Sequence, residues 1–82
     1  METFWYVGQV QTFAFPFAPQ GWLPCDGRLL PISANLSLYS LLGTAYGGDG
    51  KTNFALPKLA PVAPNGPGYY IAIQGLFPNQ QL

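Results

Sequence analysis

Residues 31–43, Pro-Ile-Ser-Ala-Asn-Leu-Ser-Leu-Tyr-Ser-Leu-Leu-Gly, decide the fold class, because they form the only convincing helix in the chain. Ser33 is a suitable N-cap, and Gly43 can supply the left-handed residue that ends the helix. One apolar stripe contains Ala34, Leu38, Leu41 and Leu42, and two more apolar residues, Leu36 and Tyr39, lie off it. A short helix with so much apolar surface must be buried against more than one layer.

Short strands are predicted on both sides of this helix. Residues 4–15 are rich in aromatic and β-branched side chains, and neither face is polar, so we expect both faces of this first strand to be covered. Residues 22–30 predict a β-hairpin, with Asp26 and Gly27 at the two positive-φ positions of a type I′ turn. Further strands are predicted at residues 54–56 and 69–77. The sequence therefore predicts a small α+β domain with a few short β-strands, a β-hairpin and one short buried helix.

Charged residues are unusually scarce. They make up 7% of the 82 residues and carry no net charge; they are Glu2, Asp26, Arg28, Asp49, Lys51 and Lys58. Soluble domains usually carry about 25%. A globule of this mass has about 4,800 Å² of surface, or roughly one charge per 800 Å², the area that one partner contributes to a standard interface. We therefore expect self-association, and the alternative is an unusually neutral monomer.

The same composition argues against several functional classes. The chain has no histidine, so the usual Ser-His and Cys-His nucleophiles cannot form. The two turn aspartates, Asp26 and Asp49, are poor candidates for a catalytic pair, and we expect no enzyme, no metal and no cofactor. Three scattered cations do not favour nucleic acid, no apolar run is long enough for a membrane span, and no cleavable signal peptide is evident. Cys25 is expected to be buried and inert, with an inter-subunit disulfide as the alternative.

Glycines mark the predicted turns. Residues 46–51 superficially suggest a phosphate loop but lack the spacing of a P-loop, so we interpret them as a turn with positive-φ glycines. The predicted structural turn residues are Asp26, Gly27, Gly43, Gly47, Gly48 and Gly50.

The uncharged aromatic strands are the predicted oligomer interface. Its candidate residues are Phe4, Trp5, Tyr6, Val7, Val10, Phe13, Phe15, Tyr69 and Tyr70. Aromatic side chains are favoured in cores and interfaces. The alternative is a glycan-binding platform of aromatic side chains, formed by Trp5, Trp22, Tyr46, Tyr69 and Tyr70.

Two motifs resemble the phage tail-collar domain family. They are Gly-Trp-x-x-Cys-Asp-Gly at residues 21–27 and Leu-Leu-Gly-Thr-x-Tyr-Gly-Gly-Asp-Gly at residues 41–50, followed by Phe-Ala-Leu-Pro at 54–57. The resemblance runs from about residue 7 to residue 60, and it is especially close to the bacterial branch called microcystin-dependent proteins. It implies a structural, trimeric or filament-forming part of a tail-like fibre. The implied partners are further copies or related tail-fibre proteins, on a virion, a tail-like particle or otherwise outside the cell.

The chain departs from that family after residue 57. Family members usually continue Asp-Leu-Arg-Gly and then carry a long histidine-containing region, whereas this chain has Lys-Leu-Ala-Pro at 58–61. It therefore looks like a reduced version in one domain over residues 1–82. The expected parts are a collar core at 1–60, a Pro/Gly linker at 61–68 and a closing strand at 69–78. We expect a structural, self-associating fibre subunit; a surface-binding adhesin or glycan-recognition tip is the alternative.

Overall fold

Two antiparallel sheets and one helix make up the fold of the computed structural model, which describes residues 5–15, 17–61 and 68–78. In chain order the elements are β1 (Val10–Phe13), β2 (Trp22–Pro24), β3 (Leu29–Pro31), α1 (Leu36–Leu42), β4 (Asn53–Ala55) and β5 (Gly68–Ala72). The predicted α+β class is confirmed.

The larger sheet has the order β1-β5-β2, so the last strand occupies its centre. Ile71 of β5 lies opposite Val10 on one side and Leu23 on the other. The first and last strands are shorter than predicted. Gly8 turns the chain at a φ of 88° before β1, and a separate bridge joins Tyr6 to Leu76.

The predicted hairpin at residues 22–30 is wrong. β2 pairs with β5, whereas β3 pairs with β4 in the second sheet. Only Gly27 of the predicted turn pair has a positive φ, at 82°. The Asp26 carboxylate instead accepts hydrogen bonds from the backbone and side chain of Arg28. Residues 26–28 are therefore a corner that carries the chain from one sheet to the other, because each strand finds a longer-range partner.

The helix is present, but its start and its burial differ from the prediction. Its N-cap is Asn35 rather than Ser33, and the Asn35 side chain donates to the carbonyl of Pro31 instead of capping the helix. At the other end the Gly43 N–H donates to the Tyr39 carbonyl at a φ of 56°. Only Leu38 is buried, so the helix packs on one core by one side and is not enclosed between layers.

The main core lies between the larger sheet on one side and the helix with the second sheet on the other. Its fully buried side chains include Leu38, Phe54, Leu56 and Ile71, and Val7, Cys25 and Leu30 complete it. Every element except β1 contributes a side chain to this cluster or packs against it. The main core therefore covers one face of the larger sheet but not the opposite face.

Candidate assembly surface

The alternation of side chains along the larger sheet separates two kinds of surface. In β2 and β5, Leu23 and Ile71 lie opposite one another and point into the main core. Trp22 is next to Leu23 and Tyr70 is next to Ile71 in the chain. Because successive side chains of a strand alternate, Trp22 and Tyr70 point to the opposite face of the sheet. Phe13 of β1 lies on that same face, since it is two residues from Gln11, the partner of Tyr70.

The aromatic rings on this second face form a continuous chain of contacts, which we call the aromatic face. Phe13 lies at its centre, with its ring centroid 5.1 Å from Trp22, 5.2 Å from Phe15 and 5.6 Å from Tyr70. The chain continues from Trp22 to Trp5 at 5.6 Å and from Phe15 to Phe17 at 4.7 Å. Its members are Trp5, Phe13, Phe15, Phe17, Trp22 and Tyr70.

Exposure increases steadily along the aromatic face. Trp22 and Tyr70 are buried, whereas Phe15 is 38% and Phe17 is 62% exposed. The indole N–H of Trp5 donates to the carbonyl of Gln74 at 2.7 Å, which holds this ring at the edge of the cluster. The outer rings of a well-formed aromatic stack thus lie in water, and such exposed apolar patches mark interaction sites.

A small recess lies within the aromatic face. It is lined by Trp5, Gln11, Phe13, Phe15, Pro19 and Trp22 and has a volume of about 180 Å³. Small-molecule sites usually measure about 300–1,000 Å³. No lining side chain is charged, so the recess suits a single apolar or neutral side chain better than a whole ligand.

The predicted interface residues are distributed between surface and interior. Trp5, Phe13 and Phe15 belong to the aromatic face, whereas Tyr6 and Val10 are exposed, with Val10 on the opposite face of the sheet. Val7 and Tyr70 are buried within the chain, and Tyr69 packs on the main core. Phe4 lies outside the described residues. The sequence analysis did not include Phe17 among the interface residues. Its position in a predicted loop between two prolines was a signal that its side chain would not be buried in the core.

The other aromatic residues considered for glycan binding do not form one platform. Trp22 is 5% exposed, while Tyr46 is exposed on the loop after the helix. Tyr69 and Tyr70 are adjacent in β5 and therefore point to opposite faces of the sheet. The structure therefore does not bring these side chains together on one open surface.

The loop between the helix and β4 is built around Asp49. Its Oδ1 accepts hydrogen bonds from the backbone N–H groups of Lys51, Thr52 and Asn53 at 2.8, 2.9 and 3.1 Å. These donors hold the pKa of the Asp49 carboxyl well below its usual range. Gly47, Gly48 and Gly50 all have positive φ. The carboxylate therefore organises a turn of its own backbone.

Cys25 lies in the main core, where burial and the neighbouring Asp26 raise the pKa of its thiol to about 11. The thiol stays protonated near neutral pH. Over residues 5–15, 17–61 and 68–78 there is no group of three or more potential metal ligands. Within the same ranges, no helix has the length and apolar character needed to cross a membrane.

One comparison with known proteins gives a match. The family model of the phage tail collar domain matches residues 8–64, well over half of the chain. No curated protein matches the sequence.

Proposed function

Because the chain belongs to the phage tail collar domain family, we propose that it is a structural subunit of a tail fibre and that it associates with copies of itself through the aromatic face. The family indicates a structural role and a location on the virion or tail. Self-association, filament formation and the absence of catalysis are our proposals.

The graded exposure of the aromatic face carries the proposal. The ring centroids of Phe15 and Phe17 lie 4.7 Å apart although both side chains are exposed, so their outer surfaces remain available to a partner. A fully buried aromatic side chain removes about 150–250 Å² from water, and each such ring stabilises an interface strongly. The two phenylalanines together therefore offer the kind of aromatic anchor that is typical of binding hot spots.

Charge narrows the choice of partner. The six rings of the aromatic face and the other residues of its recess carry no charge. A charged partner surface would lose its hydration against these rings without gaining a counter-charge. A second copy of this chain is a suitable partner, because only six of its 82 residues are charged.

A matched pair of variants tests the proposal. Phe17 is 62% and Leu36 is 65% exposed, but Leu36 lies on the outer side of the helix, away from the aromatic face. We expect the wild-type chain to have a mass that is a multiple of 8.9 kDa in size-exclusion chromatography with light scattering. Phe17→Ser should reduce this mass toward that of one chain, whereas Leu36→Ser should leave it unchanged. A monomeric wild type, or equal effects of both variants, would contradict the proposal.

The glycan-binding alternative has weaker support. The recess of about 180 Å³ contains one amide side chain, and its Gln11 Oε1 already accepts a hydrogen bond from Gln9. Sugar recognition needs several polar groups in addition to an aromatic surface. A glycan array with wild type and Trp5→Ala tests it: a signal lost in the variant supports glycan binding, and no signal from the assembled protein rejects it.

We further propose the reduced organisation suggested by the sequence, with a collar core over residues 1–60, a linker at 61–68 and a closing strand at 69–78. The central place of β5, between β1 and β2, supports it. The relation to the microcystin-dependent branch belongs to the same proposal. Deleting residues 69–78 should abolish folding, because both outer strands of the larger sheet would lose their partner.

A further inference from the structure

The outward-facing backbone groups of the two sheets can be followed strand by strand. In an antiparallel pair, residues alternate between those that bond to the neighbouring strand and those whose N–H and C=O groups point away from it. Each of the four outer edges, at β1, β2, β3 and β4, can therefore be examined for groups that could receive another strand.

The outer edge of β2 has no free donor. Bonds from Ile73 to Gly21 and from Cys25 to Tyr69 place the outward groups at Trp22 and Pro24. Proline has no N–H, and the Trp22 N–H donates to the carbonyl of Pro19 at 3.0 Å. A turn and a proline thus protect this edge.

The second sheet is protected as well. On β4, the Ala55 N–H donates to Gly47, and the Asn53 carbonyl accepts from Gly50, so the preceding loop covers the edge. On β3, Pro31 has no donor, and its carbonyl accepts from the Asn35 side chain. Only Leu29 remains on that edge, and one residue cannot hold a strand.

The outer edge of β1 differs from these three. The bond from the Ala72 N–H to the Gln9 carbonyl sets the alternation, so the N–H and C=O groups of both Val10 and Thr12 point outward. No described strand pairs with this edge. Natural proteins usually protect exposed edges with lysine, proline or inward-pointing charges, and β1 has none of these.

We propose that this edge receives the β1 strand of a second copy, in antiparallel orientation about a two-fold axis at Gln11. The inference rests on the self-association proposed above and adds a second contact between copies, at the sheet edge and not on the aromatic face. Val10 of each copy would form two backbone hydrogen bonds with Thr12 of the other copy. Gln11 would lie opposite its own counterpart.

The comparison of the four edges favours a second copy of this chain as the partner of β1. Among the four described edges, β1 alone offers two consecutive outward residues, so the equivalent edge of a second copy is its natural complement. No charged residue lies in residues 5–15, so two antiparallel copies of β1 meet without repulsion. The pairing joins two three-stranded sheets into one of six strands and brings both aromatic faces to the same side.

Thr12→Pro tests the proposed hydrogen bonds. The Thr12 N–H does not bond to β5, so proline removes an outward donor without removing an internal hydrogen bond. We expect the variant to associate at least about tenfold more weakly in sedimentation experiments, because each pair of chains loses two hydrogen bonds. Thr12→Val keeps the N–H and should associate like the wild type, and circular dichroism of both variants checks the fold.

A cysteine pair provides a second test that does not require a proline. Residues facing each other at a non-hydrogen-bonded position have Cα atoms about 4.5 Å apart, within the range of a disulfide. Gln11→Cys should therefore form a covalent dimer on mild oxidation. Gln9→Cys should not, because its two copies would lie about four residues apart along the strands, roughly 13 Å. Cys25 is buried and should not interfere.

The outcomes separate this inference from the proposed function. Loss of assembly in Thr12→Pro together with the Gln11→Cys dimer supports the pairing. If Phe17→Ser reduces the mass but Thr12→Pro does not and Gln11→Cys stays monomeric on denaturing gels, the edge pairing is wrong and self-association through the aromatic face stands. A wild type of three chains would contradict the two-fold pairing, and a monomeric wild type would contradict both proposals.

Discussion

The two faces of the larger sheet are formed by the same three strands but are completed in different ways. On the core face, Ile71 and Leu23 meet a layer from the helix and the second sheet, in which Leu38 and Phe54 are fully buried. On the aromatic face, the described side chains that cover Trp22, Tyr70 and Ala72 are those of Trp5, Ala18 and Phe13. One face is therefore completed within the chain and the other is only partly covered.

The difference shows how stability and association can be assigned to opposite sides of one sheet. The core face contains aliphatic side chains that interlock, and their removal leaves cavities. The outer part of the aromatic face contains flat rings that already contact one another and retain exposed surface. Changes on the first face should act on folding, and changes on the second should act mainly on assembly.

The largest expected effect tests this division directly. Phe54→Ala removes a fully buried ring and should lower the free energy of unfolding by about 3–5 kcal/mol, much of the total for a domain of this size. Phe15→Ala removes a ring that is 38% exposed and should cost about 1 kcal/mol or less at concentrations where the chain is monomeric. Chemical denaturation measures both. Similar losses in the two variants would remove the distinction between the faces.

A second, somewhat smaller effect acts on the core face through the backbone. Gly48 has a φ of 94°, and a Cβ placed there would clash with the Cα of Phe54. Gly48→Ala should therefore displace β4 in addition to about 1–3 kcal/mol of backbone strain.

Gly43 provides the control for this variant. A Cβ there meets no atom of the described residues within 4 Å, so Gly43→Ala should cost about 1 kcal/mol, from its positive φ. Thermal melts compare the two variants. Equal melting temperatures would show that the loop is not packed against β4.

The smallest effect is a dependence of stability on pH that comes from Asp49 in the loop before β4. The folded pKa of Asp49 lies below its unfolded value of about 3.9, so its hydrogen bonds stabilise the fold above about pH 4. This contribution is lost as the pH falls from there toward the folded pKa. Melting curves from pH 7 to pH 2.5 should show a wild-type advantage over Asp49→Ala that becomes smaller below about pH 4. A difference that persists unchanged at pH 2.5 would contradict this assignment.

Much of the fold could be predicted from local patterns. The helix and the positive φ of Gly27 and Gly48 lie where the sequence indicates them, β1 lies within the predicted strand at 4–15, and β4 begins one residue before the predicted strand at 54–56. The hairpin prediction was wrong because a turn signal at Asp26-Gly27 does not show which strands pair with the residues on either side of it. The predicted helix cap was wrong, because the N-cap is Asn35, whose side chain donates to the carbonyl of Pro31. Short polar side chains can always form such local hydrogen bonds instead of capping a helix.

The sequence could predict the type of the candidate surface but not the residues that form it. Scarce charge and abundant aromatic residues indicated an uncharged interface, but the choice among particular rings depended on burial. Val7 and Tyr70 match the composition of an interface as well as Phe17 does, yet the first two are buried and the third is exposed.

The sequence by itself determined the α+β class, the scarcity of charge and the family, because composition, periodicity and motifs are carried by neighbouring residues. Only the tertiary structure decided which face of the larger sheet is covered and which edge is open. Both depend on the pairing of β5 with strands about 46–61 residues earlier in the chain. A shift of one residue in that register would exchange the core and aromatic faces, and no local pattern encodes it.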